Sequence, residues 1–184
     1  MTALGLTDMG ADIARRERFR AVFERELDYV WTSLRRMGVQ PRDLEDVAQE
    51  VFLHVYRKLD EYDPERPLRP WLFAFAVRCA SDWRRLARNR LEHLGIEHEP
   101  RSPEPEADQV AERRENLELA LDALAAVEPE RRAVLILHDF DHCSMKEIAA
   151  ALSIPLFTGY SRLRVAREEF TAEAKRRLAQ RGQR

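Results

Sequence analysis

The sequence predicts an all-α protein: two small helical domains joined by a flexible acidic linker, the second a four-helix domain that contains a helix-turn-helix. Three observations point there. Apolar residues recur at three- and four-residue steps along most of the chain, and no comparable run alternates with the two-residue period of a strand. An acidic stretch from Glu92 to Glu112, broken by Pro100, Pro103 and Pro105, suits an extended solvated connection. Further on, a helix-capping sequence is followed by a short break and a longer basic segment, the pattern of two helices across a tight turn.

Taken in order, Phe19, Phe23, Leu27, Val30, Leu34 and Met37 mark a first helix from about Asp12 to Met37. After Gly38 and Pro41, a second helix carries Leu44, Val47, Val51, Val55 and Leu59 on one face and stops before Asp63-Pro64. A third, from about Pro70 to Asn89, repeats the pattern with Leu72, Ala76, Cys79, Trp83 and Leu86. These three share one core, which sets a first domain at 12–91, a linker at 92–113 and a second domain at 114–184. In the second domain Leu117, Leu121 and Leu124 mark a fourth helix, and Pro129 suits the first turn of a fifth through Val134 and Leu137. Ser144-Met145-Lys146-Glu147 is a capping box, in which hydroxyl and carboxylate each satisfy a free amide at the start of a helix through Leu152. Ser153-Ile154-Pro155 breaks that helix, and Thr158 is placed to cap a last one with Leu163, Ala166 and Phe170 inward.

Composition narrows the function classes. At 184 residues and 45% apolar content the chain can bury real cores, and 35% charge with a net charge of only -2 excludes a uniformly basic nucleic-acid binder. Charge distribution must therefore decide. Cys79 and Cys143 lie far apart and neither belongs to a C-x-x-C pair, which argues against a disulfide framework and for a reducing compartment. Met1 to Gly10 has no basic start followed by an apolar core, and no stretch approaches the roughly 18 apolar residues of a membrane span. A cytoplasmic protein without membrane insertion is expected.

Three stripes stand out. On the second helix Asp46, Gln49, Glu50 and Leu53 fall at i, i+3, i+4 and i+7, away from the buried face. This is either a solvated surface or a docking face for a basic partner. On the third helix Trp71, Phe75, Arg78, Asp82 and Arg85 form a stripe that begins aromatic and ends charged, preceded by Arg66 and Arg69 and followed by Arg88 and Arg90. Seven arginines and one acid between Arg66 and Arg90 make a basic patch inside a near-neutral chain. Aromatics among arginines suit unpaired nucleic acid, since bases stack on rings while guanidinium groups hold phosphate; a core role for Trp71 and Phe75 is the alternative. On the last helix Tyr160, Ser161, Arg164 and Arg167 project opposite Leu163, Ala166 and Phe170, as a helix lying in a major groove requires.

Other clusters carry no chemistry. His138, His142 and Cys143 have a metal-like spacing but lack a fourth ligand, and His93 and His98 sit in the linker without matching partners. The carboxylates of the second helix have no pocket to tune them. No catalytic residue, metal or cofactor is expected, and hence no enzyme.

The order of these segments resembles the extracytoplasmic-function sigma factors, members of the sigma-70 family of bacterial RNA polymerase subunits. The stretch Asp43-Leu44-Glu45-Asp46-Val47-Ala48-Gln49-Glu50-Val51-Phe52 is similar to the polymerase-binding helix of that family, D-x-E-D-L-x-Q-E-x-F. Arg69-Pro70-Trp71-Leu72-Phe73, Glu147-Ile148-Ala149 and Tyr160-Ser161-Arg162-Leu163 with Ala166-Arg167 follow in the family's order, and the resemblance covers about Phe19 to Leu178. It implies that the first domain is sigma region 2, with Asp46, Gln49, Glu50 and Leu53 binding the polymerase core and Phe52 supporting them from inside. Arg69, Trp71, Arg78, Asp82 and Arg85 would read and melt the minus-10 element, where Asp82 accepts from a cytosine or pairs with Arg78 or Arg85. The second domain would be region 4, with Thr158, Tyr160, Ser161, Arg162, Arg164 and Arg167 on the minus-35 duplex. Core polymerase and promoter DNA are the implied partners, and an anti-sigma factor is one the family commonly has. A free-standing helix-turn-helix regulator would leave the first two stripes without a role, and an interaction protein that has lost DNA reading would keep only the first.

The sequence departs from the family pattern in three places. Gly159 and Tyr160 occupy positions where valine and a basic residue are usual, and Val165 stands where arginine is common. His142 replaces the glycine that precedes the capping box, in a turn conformation histidine tolerates less readily.

Overall fold

The computed structural model describes residues 4–94 and 108–182, with side chains from 12–87 and 113–182. Among the described residues there are seven α-helices and no strand: α1 Leu4–Arg36, α2 Leu44–Lys58, α3 Leu68–Leu94, α4 Asp108–Ala126, α5 Pro129–Leu135, α6 Met145–Leu152 and α7 Leu156–Arg181. The helical extents reach beyond the sequence expectation, because α3 continues past Asn89 and α4 starts before Glu112. The acidic connection thus narrows to 95–107, and His98, Pro100, Pro103 and Pro105 lie outside the described residues. Arg88, Arg90 and His93 are on α3, with their side chains outside the described set.

Helix ends follow local chemistry. After α1, Val39 N–H donates to the Leu34 carbonyl and Gly38 N–H to that of Arg35, both at 3.0 Å, the paired bonds of a Schellman stop. Gly38 supplies the φ of +91° that this stop requires. Pro129 opens α5 as expected, and the Glu128 side chain accepts from Arg131 N–H. The fifth helix does not continue regularly to Leu137: Ile136–Phe140 is a π-turn, followed by His142 at φ +56°.

Helices α1, α2 and α3 pack around Val30, Leu34, Val51, Val55, Leu72, Phe73 and Ala76, all fully buried. Helices α5 and α7, with α4 and α6 beside them, enclose Leu124, Val134, Leu135, Ile136, Leu137 and Ile148. The halves also touch: α6 lies against α3 and α4 against α1, so their buried residues form one continuous cluster. Polar contacts reinforce this seam. Tyr29 Oη donates to Asp141 at 2.8 Å, Arg36 pairs with the same carboxylate at 3.1 Å, and Arg132 Nη1 donates at 2.8 Å to the Met37 carbonyl, which also accepts from Arg84 Nη2 of its own half at 2.7 Å. Burial and the Asp141 carboxylate together hold the Tyr29 phenol in its neutral form well above the usual range.

Candidate polymerase and promoter surfaces

The strict inward face of α2, Leu44, Val47, Val51 and Val55, fixes what faces outward. Asp46, Gln49 and Glu50 are exposed, and Leu53 is 51% exposed among them. Phe52 turns the other way, 3% exposed, with its ring against Phe23 at 4.7 Å and Phe19 at 6.3 Å. The result is an acidic surface with a central leucine on a rigid, well-packed helix, a form suited to a basic protein partner with an apolar spot.

The α3 residues divide. Arg78, Asp82 and Arg85 are exposed, and Arg85 donates to Asp82 at 3.1 Å, one turn away. Trp71 is half-buried between Tyr62 and Phe75, with ring centroids at 4.8 and 4.9 Å. Phe75 is 9% exposed and so belongs to the core rather than to an open stacking stripe; its edge supports Trp71, and Arg78 lies over its ring at 5.8 Å. Arg69 is tied down, donating to the buried Glu26 at 3.0 Å and lying over the Tyr29 ring at 5.0 Å. Behind this face, burial pushes the Cys79 thiol up to about 12, with Glu50 and Asp82 adding to the effect.

Trp71, Phe75 and Arg78 line one wall of a groove of ≈ 560 Å³, with Pro67 and Arg66 at its rim and Lys146, Glu147, Ala150 and Ala151 of α6 opposite. The candidate minus-10 face and the first helix of the helix-turn-helix therefore look at each other.

The helix-turn-helix itself is well determined by its caps. Ser144 Oγ accepts from Glu147 N–H at 3.3 Å while the Glu147 carboxylate accepts from Ser144 N–H at 2.7 Å, the reciprocal capping box. Ser153 ends α6 at φ +54°, with Ile154 N–H donating to Ala149 O and Ser153 N–H to Ala150 O. Thr158 does not cap α7: the helix begins at Leu156 with Pro155 before it, and Thr158 is half-buried inside the first turn. Proline's fixed φ, here -60°, delivers the chain in extended form without a side-chain cap.

On α7, Leu163 and Ala166 are buried, Tyr160, Ser161, Arg164 and Arg167 are exposed, and Arg162 is half-buried. Each arginine already has an acid. Arg162 pairs with Glu130, Arg164 with Glu168 at 2.7 Å, and Arg167 with both oxygens of Asp139 at 2.6 and 2.8 Å. The Arg167 hydrogen bonds are the main reason the Asp139 carboxyl sits below its usual range. His138 Nδ1 contacts Asp139 at 2.7 Å, and the Cys143 thiol faces the Asp141 carbonyl at 3.7 Å, so both are engaged locally. Gly159 fits the packing: a Cβ there would stand 2.5 Å from Met145 Sδ, so the valine usual at this position requires the Met145 side chain to move aside.

Sequence reasoning missed Arg132, Asp141 and Phe157. The first two act only once both halves are assembled, and nothing local marks them. Phe157, 82% exposed, was legible as an aromatic next to the turn.

Residues 22–90 match the family described as Sigma-70 region 2, and residues 117–170 match Sigma-70, region 4. The chain is 33% identical over 159 residues to the ECF RNA polymerase sigma factor SigL of Mycobacterium tuberculosis, covering 85% of this chain and 89% of that one. It is 28% identical over 146 residues to the RNA polymerase sigma factor CnrH of Cupriavidus metallidurans, covering 75% and 76% respectively. In fold it is similar to the sigma factor RpoE solved with the anti-sigma factor NepR from Bartonella quintana, with a TM-score of 0.62, 23% identity and coverage of 83% of this chain and 96% of that one. CnrH, solved with the cytosolic domain of CnrY, gives a TM-score of 0.58 at 24% identity, covering 85% and 87%. The chain belongs to the extracytoplasmic-function sigma factors and directs RNA polymerase to specific promoters to initiate transcription. No helix among the described residues is long and apolar enough to cross a membrane.

Proposed function

We propose that the work of initiation is divided between residues 12–91, acting as region 2, and residues 114–184, acting as region 4, joined through residues 92–113, of which 92–94 extend α3 and 108–113 open α4. Asp46, Gln49, Glu50 and Leu53 dock on a basic face of core polymerase. The observation that carries this is their joint exposure on a helix whose opposite face is buried without a break. Trp71, Arg78, Asp82 and Arg85 meet the melted minus-10 strand, with Arg69 held ready by Glu26. Tyr160, Ser161, Arg164 and Arg167 face the minus-35 duplex, where phosphate oxygens replace Glu168 and Asp139 as acceptors for the guanidinium groups. Thr158 and Arg162 support that surface from its edge. The protein itself carries out no chemistry, works in the cytoplasm and takes an anti-sigma factor as a further partner, as the similarly folded sigma factor RpoE does with NepR.

Promoter-dependent run-off transcription with purified core polymerase tests this. Asp46→Lys with Glu50→Lys should weaken core binding by about 2–5 kcal/mol, the range for loss of interfacial charge, while the helical content stays unchanged. Unaltered core affinity would remove this face from the assignment.

A further inference from the structure

We propose that the first turn of α7 carries an apolar reading head, Phe157 with Tyr160, that recognises thymine by its C5-methyl group in the minus-35 element. This rests on the reading that α7 enters the major groove, and it names what the helix looks for there.

The argument starts at Gly159. It is buried against Met145 Sδ, so the first turn of α7 is seated directly on the start of α6. With Gly159, Leu163 and Ala166 inward, the helical period puts Phe157 on the opposite side, in line with Ser161 and Arg164 at i+4 and i+7. Phe157 is 82% exposed and Tyr160, one turn on, 57%. An exposed phenylalanine ring next to an exposed tyrosine is an unusual way to finish a polar surface, and it lies at the end of the second helix of a helix-turn-helix, where base edges are met.

The chemistry of neighbouring groups points the same way. Arg162, Arg164 and Arg167 are each engaged by an acid from α5, α7 or the π-turn, so their guanidinium groups must exchange one partner for another on binding DNA. The two rings exchange nothing: they lose only water. In the major groove the one apolar feature of the base edges is the thymine methyl; cytosine, guanine and adenine present hydrogen-bonding groups there. A phenylalanine on this turn therefore favours thymine at its position and disfavours the polar edges it would desolvate.

The test uses holoenzyme assembled from the full chain and core polymerase, on promoters recovered by binding-site selection. Each minus-35 thymine is replaced in turn by deoxyuridine, which removes the methyl and keeps the hydrogen-bonding edge. One or two adjacent positions should lose affinity about three- to fivefold, the worth of one buried methyl. Holoenzyme with Phe157→Ala should bind the thymine and uridine forms at that position equally, and Phe157→Leu, still apolar, should keep a preference for thymine. Uniform tolerance of uridine, with the minus-35 sequence still required, would overturn methyl reading and leave groove docking intact. Indifference to every minus-35 base would instead overturn groove docking. Loss of core binding by Phe157→Ala, with unchanged DNA preference, would make the patch a protein contact and also overturn the proposal.

Discussion

Replacing Arg132 by methionine tests the seam between the two halves. Arg132 is only 4% exposed, and its guanidinium donates to three carbonyls: Met37 at 2.8 Å, Ala125 at 2.6 Å, and Val127 at 2.8 and 3.2 Å. Ala125 is in the last turn of α4, where carbonyls have no intrahelical donor, so the arginine works as a C-terminal cap. Methionine keeps an apolar stem of similar length and removes every donor. Met37 retains Arg84 at 2.7 Å, which leaves the Ala125 and Val127 carbonyls without the guanidinium; at ~1–3 kcal/mol each the gross loss is about 2–6 kcal/mol. Relief of a buried charge opposes this, since burial, with Arg84 adding repulsion, pulls the Arg132 guanidinium down to about 10, still protonated at neutral pH. We expect a net loss of roughly 2–4 kcal/mol, read as a fall in Tm of about 5–15 °C. Hydrogen exchange should quicken at residues 37–39 of the other half as well as at the end of α4. An unchanged Tm, or faster exchange confined to α4 and α5, would refute the reasoning.

Three further outcomes follow from local geometry. Ser153→Gly relieves a left-handed residue at the end of α6 and should raise stability by about 0.5–1 kcal/mol in denaturant titration, with no change in helical content. Gly159→Val drives a side chain into Met145 Sδ and should cost about 1–3 kcal/mol, much of it recovered in the double variant with Met145→Ala. Because burial raises the thiols of Cys79 to about 12 and Cys143 to about 11, about one part in a thousand or less is thiolate at pH 8, so alkylation of native protein should be slow there and accelerate on unfolding.

The legible parts of this fold are those where one local rule decides. The spacing of Leu44, Val47, Val51 and Val55 fixed the inner face of α2 and therefore Asp46, Gln49, Glu50 and Leu53 outside it. Ser144 and Glu147 marked the start of α6 because a capping box needs only four residues. Elsewhere competing rules won. Thr158 has the side chain of a cap, but Pro155 had already set the entry angle three residues earlier. Phe75 lies on the border between the core stripe and the outward stripe of α3, and its helical phase alone assigns it to neither; packing of Trp71 against it decides. Leu86 has core spacing yet is 55% exposed, so its period alone does not tell a core position from a surface one near the end of α3. Arg132 looks like any surface arginine until the ends of α1 and α4 are brought together.

The continuous buried cluster gives the chain a property of two-piece assemblies. Contacts between the halves, among the described residues, run from Tyr29, Arg36 and Met37 to Asp141 and Arg132, and from α3 to α6. A single proteolytic cut within residues 95–107 would therefore leave the two fragments bound as a noncovalent heterodimer, able to re-form when mixed. The peptide connection then acts as a tether that raises the effective concentration of one fragment about the other. Within an intact chain the seam behaves as an intramolecular binding equilibrium, and any promoter geometry that holds the two units apart must compete against that association constant.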